Sequence, residues 1–501
     1  MSLILLIHTL VFILFWLTNS LFYSAVNDYL TGMLGSRLDY ISICLVISAI
    51  LAIWSAARLY FRRRQGPKFG PEWLAAVLMG LYLLYFYGSF ALLFSQDPSQ
   101  ISRLGNLFQF YRMIFDFPAL FVLAWYLRKW LLHLTAHPII SNRISRSIVG
   151  LILALAVFTP VYLPPENTFK SPPGTEPVNP PQLFPKPKLV AHRGASMLAP
   201  ENTLASAEQA AGLGVYGLEG DIRISQDGVL FLMHDDTLQR TTNVADVFPA
   251  RQNDNASNFT FSELRQLNAG QWFVSQDPYG SIAGGLVGAA DAARYKTEPI
   301  PSLADILKVV KDKKLVFIFD LVPPPQGHPY YDRFFDLSLQ QIKDAGIDSQ
   351  IWFLADGTEL EKVKAAAPEM KLVAAVDPAK SPIPETLKAQ GYTLVNSEFS
   401  MPPASILDYY QGGVSVNLWT VDEPWQFSRL WLTGATSITT NNSQAFISMQ
   451  APLFAIPNTT YRYIWGTLSL LALGILFYKI PPASTEKPSN SIKDADKPKF
   501  V

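Results

Sequence analysis

The chain has 501 residues, of which 49% are hydrophobic and only 16% are charged, well below the roughly 25% of charged residues in a typical soluble domain. Forty lysines and arginines balance forty aspartates and glutamates, so the composition argues against nucleic acid as a partner. The single cysteine, Cys44, excludes a disulfide within the chain and argues against zinc–thiolate chemistry. The length is sufficient for two or three domains.

Apolar runs at the two ends of the chain predict a membrane region. Five runs in the segment 1–163 each approach the about 20 residues that a helix needs to cross a bilayer, and they lie near residues 3–23, 41–60, 73–95, 113–131 and 147–163. A sixth run covers 461–480, and Tyr461, Tyr463 and Trp465 stand at one end of it, as interfacial anchors would. We therefore expect five N-terminal transmembrane helices and one C-terminal transmembrane helix, with the lipid bilayer as a partner.

Basic residues orient the predicted helices. The connection after the second run contains Arg58, Arg62, Arg63, Arg64 and Lys68, and the connection after the fourth contains Arg128, Lys129, Arg143 and Arg146. Lys and Arg accumulate on the cytoplasmic side, so both termini, including the tail 481–501, are expected there. The segment 164–460 is then extracellular, or periplasmic in a bacterium. Asn-x-Ser/Thr sequons begin within it at Asn255, Asn258, Asn441 and Asn458.

A proline-rich linker, residues 164–187, follows the fifth apolar run. Ten of the 28 residues from Pro160 to Pro187 are proline, which predicts an extended, semi-rigid segment. A first Pro-Glu-Asn-Thr sequence, starting at Pro165, lies inside this linker and is explained by its composition alone.

Short apolar runs alternating with helical stretches predict an α/β fold for residues 188–445. The predicted strands are KLVAH (188–192), YGLEGDI (216–222), LVFIFDL (315–321), IWFLA (351–355), KLVAAV (371–376), YTLVN (392–396), VSVNLWTV (414–421) and SITT (436–439). Eight strands with intervening helices over roughly 250 residues are typical of a (β/α)8 TIM-type barrel. A doubly wound open sheet is the alternative, but no G-x-G-x-x-G follows the first strand. A hairpin (228–236) and a long insertion (about 243–299) interrupt the pattern after the second strand.

Acidic residues at strand ends predict a metal site. Glu219 and Asp221 are two apart on the second strand, so their carboxylates face the same side, and Asp320 ends the third strand. Functional side chains of such barrels lie at the carboxyl ends of the strands. Three carboxylates form a hard oxygen site suited to Ca²⁺ or Mg²⁺. The alternative is a pair of surface acids with Arg223 as their partner.

Two histidines and an arginine fall at the same rim. His192 and His234 could act as a general acid and base, although a strand-end histidine is often only a structural hydrogen bonder. Arg193 offers a fork for phosphate oxygens or a salt bridge to a rim acid. In the second Pro-Glu-Asn-Thr sequence, Glu201 is a candidate rim acid for substrate binding, and either of the next two residues, Asn202 or Thr203, could cap the first helix. Trp419 could pack against substrate or in the core.

Three stretches together resemble the glycerophosphodiester phosphodiesterase family: VAHRGASMLAPENTLASAEQA, GLEGDIRISQDGVLFLMHDDTLQRTTN and VNLWTVDEPWQFSRLWLTGATSITT. The resemblance covers about residues 188–445 and implies metal-assisted hydrolysis of a glycerophosphodiester or a phospholipid-derived substrate. It implies catalytic roles for His192, Arg193 and His234, and a divalent metal held by Glu219, Asp221 and Asp320. The apolar runs, together with FDLVPPP and WTVDEPW, are most similar to the multi-pass membrane branch, whose catalytic domain faces outward.

One position departs from the family pattern. Many members carry Glu-x-Lys on the third strand, whereas this sequence has Asp320, Leu321 and Val322. The missing lysine leaves one phosphate contact unfilled, and it favours an alternative in which a barrel of this fold is a catalytically weak receptor or scaffold. A transporter is a further alternative, but the apolar runs contain few charges beyond Arg112 and Asp116, where a transport pathway usually needs more.

Overall fold

The computed structural model describes residues 168–173 and 182–477, together with scattered positions between 42 and 128. The tail 481–501, half of the proline-rich linker 164–187 and nearly all of the five N-terminal transmembrane helices were predicted on residues that lie outside this description. The described residues fall into two units. One unit includes the segment Leu183–Leu453, and the other includes the residues from Phe454 onward.

Eight parallel strands close into a barrel, as the sequence predicted. Each strand pairs with the next along the chain, and β1 pairs with both β8 and β2, which closes the sheet and excludes the open doubly wound alternative. All eight strands coincide with predicted runs. They are β1 Lys188–Ala191, β2 Gly217–Ile224, β3 Val316–Leu321, β4 Ile351–Leu354, β5 Lys371–Val376, β6 Leu394–Glu398, β7 Ser415–Trp419 and β8 Ser437–Thr440.

A helix precedes or follows each barrel strand on the outside of the sheet. The helices begin and end with local signals: Thr203 caps the first through its side chain, and Gly214 ends it at a φ of 76°, where a residue without Cβ is favoured. The helical stretches predicted from the sequence did not include the second or the eighth of these helices. The helices are α1 Leu204–Leu213, α2 Leu303–Lys313, α3 Phe334–Ala345, α4 Gly357–Ala366, α5 Pro384–Ala389, α6 Pro403–Gln411, α7 Pro424–Thr433 and α8 Ser443–Ser448.

Apolar side chains fill the inside of the barrel beneath its rim. One buried cluster consists of inward-facing strand residues, namely Val190, Ile318, Trp352, Val373 and Leu394. A larger cluster packs the outer face of the strands against the helices. The lumen is therefore a packed floor rather than a pore, as is usual for this fold, and polar groups above it are held on a rigid base.

The hairpin and the insertion form an ordered addition after β2. The hairpin strand Leu230–Leu232 runs antiparallel to β2, with Ile222 opposite Leu232. The insertion contains four short α-helices, which the sequence did not predict. They are Val244–Val247, Phe261–Leu264, Gln271–Gln276 and Ala289–Tyr295. Hairpin and insertion share a small core of their own that includes Phe231, Val244, Phe259 and Leu264.

The second unit contains a helix where the C-terminal apolar run predicts one. This helix, α9, spans Asn458–Phe477, and Tyr461, Trp465 and Ala472 are buried along it. Two-residue strands, Thr168–Phe169 and Ile456–Pro457, pair in parallel within this unit. Among the described helices, none combines the length and the apolar character that crossing a membrane would require.

Candidate active site

The carboxyl ends of neighbouring strands bring the polar residues of the sequence motifs to one rim. His192 directly follows β1, and Glu219 and Asp221 lie on β2. Asp320 lies near the end of β3, where it is the register partner of Asp221. Parallel strands end at the same edge of a barrel, so four predicted residues lie together there.

The three acids of this rim form a compact cluster. One carboxylate oxygen from each of Glu219, Asp221 and Asp320 lies within 4.8 Å of the others. Burial, followed by the charges of Asp221 and Asp320, raises the pKa of Glu219 well above its usual value. Burial and the charge of Asp221 likewise raise the pKa of Asp320 to about 6. Like charges in this arrangement are costly unless a cation or a proton neutralises them, and an all-oxygen donor set is the kind that Ca²⁺ or Mg²⁺ prefers.

Arg193 supplies part of that positive charge. Its backbone nitrogen donates a hydrogen bond to Oε2 of Glu219 at 2.9 Å, and its Nη1 donates to Oε1 of Glu201 at 3.0 Å. Its Nε lies 3.3 Å from Oδ2 of Asp221 but makes no hydrogen bond of acceptable geometry. A single guanidinium beside the three carboxylates of the cluster leaves the cluster short of positive charge.

The loop between β1 and α1 is folded tightly to place these groups. Arg193 and Asn202 both adopt a φ of 55°, and Gly194 adopts 82°. A Cβ atom at Gly194 would overlap the side chain of Ser206, so the glycine of His-Arg-Gly permits the close approach. Asn202 donates from Nδ2 to Oδ2 of Asp221 at 2.7 Å. The Asn202 that follows Pro-Glu thus orients a cluster carboxylate, while Thr203 is the helix cap.

His192 is fixed by residues that the sequence analysis did not identify. Its Nδ1 lies 2.8 Å from Oδ1 of Asn441, which directly follows β8. The backbone nitrogen and Nδ2 of Asn441 each donate to Asp422 at 2.8 Å, and this assigns Oδ1 as the acceptor. His192 therefore carries its hydrogen on Nδ1, and Nε2 lies 3.8 Å from Oε2 of Glu219. Burial, with Arg193 nearby, lowers the pKa of His192, so the ring is neutral at neutral pH.

Asn441 also belongs to one of the four sequons. Besides His192, its Oδ1 accepts a hydrogen bond from Oγ of Ser196 at 2.6 Å. Because both atoms of its amide are engaged in the site, a glycan on Asn441 is incompatible with this arrangement. The polar residues after β8 were visible in the sequence, but nothing in it linked them to a histidine 249 residues away.

His234 stands at the end of the hairpin with a carboxylate behind it. Its Nδ1 lies 2.6 Å from Oδ1 of Asp235. Arg240 donates to Asp235 from Nε at 2.6 Å and makes two hydrogen bonds to Glu201, at 2.9 and 2.7 Å. The hydrogen bond from His234, followed by those from Arg240, holds the pKa of Asp235 below its usual value. Arg240, which the sequence analysis did not identify, thus links Asp235 at the end of the hairpin to Glu201 in the loop between β1 and α1.

Glu201 lies between two arginines rather than on the wall of the central cavity. Both of its oxygens accept hydrogen bonds, from Arg193 and from Arg240. Burial alone would raise the pKa of Glu201, but the hydrogen bonds and charges of the two arginines hold it below its usual value. Glu201 was predicted to bind substrate, and the structure places it where it fixes the guanidinium of Arg193.

Arg223 does not pair with the cluster acids, contrary to the alternative interpretation. Its buried side chain donates to the carbonyl oxygens of Met233 at 3.0 Å and His234 at 2.7 Å, and to Asp236 at 2.9 Å. It therefore fixes the backbone at the end of the hairpin, next to the His234 side chain that lines the central cavity.

A central cavity of about 600 Å³ opens above the packed floor. Trp419, 42% exposed, lines it, whereas the neighbouring Asn417 is buried and donates a hydrogen bond to Oδ1 of Asn396 at 2.8 Å. Among the described residues of the lining, Arg193 is the only arginine or lysine, and Val322 is not part of the lining. The lining comprises His192, Arg193, Glu219, Asp221, His234, Ile318, Asp320, Leu354, Ala375, Val376, Asp377, Asn396, Trp419, Thr420 and Thr439.

Fold and rim together define a (β/α)8 barrel protein with a candidate divalent-metal centre flanked by two histidines. Residues 192–445, which are 254 of the 501 residues, match the model of the glycerophosphoryl diester phosphodiesterase family. This chain belongs to that family.

Curated relatives match the same region. The chain is 38% identical over 296 residues to a glycerophosphodiester phosphodiesterase domain-containing protein 5 from Gallus gallus, which covers 59% of this chain and 48% of the relative. It is 36% identical over 337 residues to the glycerophosphoinositol inositolphosphodiesterase of Homo sapiens, covering 67% of this chain and 60% of that protein. The chain thus spans about half to three-fifths of the length of these relatives.

Solved structures of similar proteins include a phosphodiesterase from Oleispira antarctica in complex with its product sn-glycerol-3-phosphate. It shares 25% sequence identity, covers 52% of this chain and 96% of its own, and superposes with a TM-score of 0.43.

Proposed function

We propose that this protein is a phosphoric diester hydrolase that cleaves glycerophosphodiesters, or related diesters of glycerol or inositol. The observation that carries the proposal is the convergence of three carboxylates, two histidines and one arginine on a single cavity. The family to which the chain belongs supports this proposal, and so do the names of its relatives.

Glu219, Asp221 and Asp320 are the residues that would hold a divalent ion, Ca²⁺ or Mg²⁺. The spacing of the three carboxylates, and the raised pKa values of Glu219 and Asp320, fit a group of oxygen ligands that needs a cation. When bound, such an ion supplies positive charge that stabilises the negative charge developing on the phosphate oxygens.

The two histidines differ in ways that suit opposite roles. His192 is neutral, with its hydrogen on Nδ1, so the lone pair on Nε2 can accept the proton of an attacking hydroxyl. His234 has the ionised Asp235 behind its Nδ1, and a carboxylate in that position orients the ring so that Nε2 is the atom offered to the substrate. We assign His192 as the base and His234 as the acid that protonates the departing alkoxide.

The remaining residues bind and orient the diester. The guanidinium of Arg193, fixed by Glu201, lies on the cavity wall and would contact a phosphate oxygen. Trp419 offers an exposed ring against which the glycerol carbons would pack. A phosphorus–oxygen bond forms to the attacking oxygen, and the phosphorus–oxygen bond to the leaving alcohol breaks. His192 takes one proton from the attacking hydroxyl, and His234 gives one proton to the departing alkoxide.

The test is hydrolysis of glycerophosphocholine and glycerophosphoinositol by the purified protein with Ca²⁺ or Mg²⁺. We expect His192→Ala and His234→Ala each to lower kcat by about 10²–10⁴-fold, and Glu219→Ala or a chelator to abolish turnover. His328→Gln changes a histidine that bonds the Ser257 carbonyl away from the cavity and serves as the control. Near-native rates in either alanine variant would refute the assignment, and binding without turnover by the wild type would favour the receptor or scaffold alternative.

We also propose that the N-terminal apolar runs anchor the protein in a membrane as an integral, multi-pass protein of the outward-facing branch. The support is the sequence pattern of residues 1–163 and its two basic connections. The barrel would then be extracellular or periplasmic, with the N-terminus in the cytoplasm. Release of the full chain from membranes by alkaline carbonate, or protection of the barrel from protease added outside intact cells, would contradict this proposal.

A further inference from the structure

The guanidinium of Arg240 holds two carboxylates at once. Its Nη1 and Nη2 donate to the two oxygens of Glu201 at 2.9 and 2.7 Å. Its Nε and Nη2 donate to the two oxygens of Asp235 at 2.6 and 3.0 Å. Both pairs are bidentate, which is a geometry that a planar guanidinium provides and an ammonium group does not. Arg240 therefore fixes both the distance and the orientation of Asp235 relative to Glu201.

Each of these carboxylates holds a residue that lines the central cavity. Oδ1 of Asp235 lies 2.6 Å from Nδ1 of His234, and Oε1 of Glu201 accepts a hydrogen bond from Nη1 of Arg193 at 3.0 Å. His234 and Arg193 both line that cavity, whereas Arg240 itself does not. A continuous chain of hydrogen bonds thus joins a residue of the hairpin to a residue of the loop after β1, and Arg240 is its middle member.

Arg240 is itself held in place by the backbone and by the insertion. Leu238, two residues before it, is buried, and the hydroxyl of Thr242 donates to the carbonyl oxygen of Leu238 at 2.6 Å. Trp272 lies on the insertion helix Gln271–Gln276, and its ring centroid is 5.9 Å from the guanidinium carbon of Arg240, within reach of a cation–π contact. The position of the guanidinium is therefore defined independently of the two carboxylates that it bonds.

We propose that Arg240 is a positioning residue of the reaction: through Asp235 it keeps the ring of His234 aligned with the leaving oxygen of the diester. This inference rests on the proposed function, because it takes His234 to be the acid. The hold of Arg240 on Glu201 ties that alignment to Arg193, the proposed contact of the phosphate. An alkoxide departs slowly without a proton, and misplacement of a reacting group by about 1 Å can cost 10²-fold in rate.

The first experiment compares two diesters that differ in their need for an acid. Glycerophosphocholine releases an alkoxide that must be protonated, whereas the p-nitrophenyl ester of glycerol 3-phosphate releases a phenolate that leaves without a proton. With the metal-loaded full chain, we expect Arg240→Gln to lower kcat for glycerophosphocholine by about 10–100-fold. The same variant should lower kcat for the nitrophenyl ester by less than about threefold. KM should change little, because Arg240 does not line the central cavity.

Arg251→Gln is the matched control. Arg251 also bonds two acids, Asp254 at 3.0 Å and Glu263 at 2.8 Å, and its guanidinium carbon lies 4.0 Å from the ring centroid of Phe259. None of these residues lines the central cavity, so we expect both esters to keep kcat within about twofold of wild type. A merely structural role of Arg240 lowers both rates alike. Equal losses with the two esters in Arg240→Gln, or no loss with either, would overturn the inference.

A cycle of single and double variants tests the route through Asp235. Residues that act as one unit have non-additive effects on the rate. Asp235→Asn combined with Arg240→Gln should therefore lower kcat for glycerophosphocholine no further than the more damaging of the two single changes. A double variant whose loss equals the product of the two single losses contradicts the inference, because Arg240 would then act by a separate route.

A third measurement does not depend on turnover. Asp235 is ionised, so it accepts the hydrogen on Nδ1 of His234, and this bond should slow the exchange of that hydrogen with water. The chain has six histidines, so proton NMR of the full chain with isotope-labelled histidine can follow this hydrogen, assigned by its absence from His234→Gln. We expect Arg240→Gln to broaden the signal beyond detection and Arg251→Gln to leave it unchanged.

The NMR result separates this inference from the proposed function. A wild type without the signal, or an Arg240→Gln variant that keeps it, overturns the inference. Loss of the signal in Arg240→Gln, in a protein whose wild type hydrolyses neither diester, would refute the proposed function and leave the positioning of His234 by Arg240 standing.

Discussion

The tautomer of His192 depends on one amide. Asn441 accepts from Nδ1 only because its own nitrogen atoms are both committed to Asp422. Asn441→Ala removes this constraint, and since misplacement of a reacting group by about 1 Å can cost 10²-fold, we expect kcat to fall by about 10–100-fold. KM should change little, because Asn441 does not line the central cavity. Steady-state kinetics across pH 5–9 provide the measurement.

A purely structural role for Asn441 would give a different result. In that case the variant would lose thermal stability while the folded fraction kept its kcat and the shape of its pH profile. Asn253→Ala, which removes an exposed partner of Gln239 in the insertion, controls for the loss of an amide as such.

Asp235 makes the stability of the protein depend on pH. Its pKa is held below the ordinary value of 3.8 by His234 and then by Arg240, so its contribution to stability is present above about pH 4 and is lost as pH falls through the lower folded-state value. Asp235→Asn should therefore be less stable than wild type at pH 5, with the gap narrowing towards pH 3. Urea unfolding at both pH values measures this, and a constant gap would contradict it.

The sequence predicted which residues share the rim, but not how they are held. His192, Glu219, Asp221 and Asp320 could be placed because strand ends in a barrel meet at one edge. Their partners come from loops far along the chain, as with Asn441 and Arg240, and a single sequence does not reveal such pairs. The same limit explains why Glu201 was assigned to substrate: its residue type was informative, whereas its orientation between two arginines was not.

At the scale of elements, the hairpin owes its position to Arg223. That buried guanidinium bonds two carbonyl oxygens at the hairpin end, including the one of His234. Arg223→Met would leave both oxygens unpaired, and we expect the free energy of unfolding to fall by about 3 kcal/mol, with kcat falling as His234 shifts. Asp236→Asn should cost less than about 1 kcal/mol, because the side chain of Asp236 is 81% exposed.

Chemical denaturation and single-turnover rates measure the two effects separately. A variant that loses stability but keeps its rate would show that the hairpin end is positioned by other contacts. Arg223→Lys, which keeps the charge with fewer donors in a fixed geometry, should give intermediate losses.

Elements were predictable where the sequence pattern was long or strongly apolar. Each barrel strand is a short buried run between turn signals, and β2 is buried along all eight residues, which reproduces the pattern expected of parallel strands. The helices of the insertion were missed because they have only four to seven residues, about one or two turns. One or two turns are too short to show the repeated spacing of apolar residues by which a helix is recognised in a sequence.

At the scale of the whole molecule, a chain of zero net charge contains a strongly negative point. Glu219, Asp221 and Asp320 come together because β2 and β3 pair in parallel and end at the same edge. Composition could not show this concentration of charge, since Asp320 is about a hundred positions from the other two acids in the sequence and meets them only where the two strands pair. Local repulsion is therefore a property of the fold, and a bound cation should stabilise the whole barrel.

Removal of the metal should destabilise the protein in a pH-dependent way. The folded-state pKa of Asp320, about 6, lies above its ordinary value of 3.8, so in the metal-free protein stability falls as pH rises between these values. A bound ion offsets the repulsion. We therefore expect metal at 100 times its Kd at pH 7.5 to raise Tm at that pH by about 5–10 °C relative to chelated protein. The same metal concentration should raise Tm by less at pH 5, where protons compete for the carboxylates.

Thermal unfolding followed by tryptophan fluorescence, with Ca²⁺, Mg²⁺ or chelator at each pH, measures the shift. Asp320→Asn removes one of the repelling charges, so the chelated variant should be more stable than chelated wild type at pH 7.5 and should gain less from metal. Asp332→Asn changes an exposed acid that does not line the central cavity and should behave as wild type. Equal metal-induced shifts at pH 5 and pH 7.5 would mean that the carboxylate cluster is not where the ion binds, since only binding there couples Tm to the protonation of Asp320.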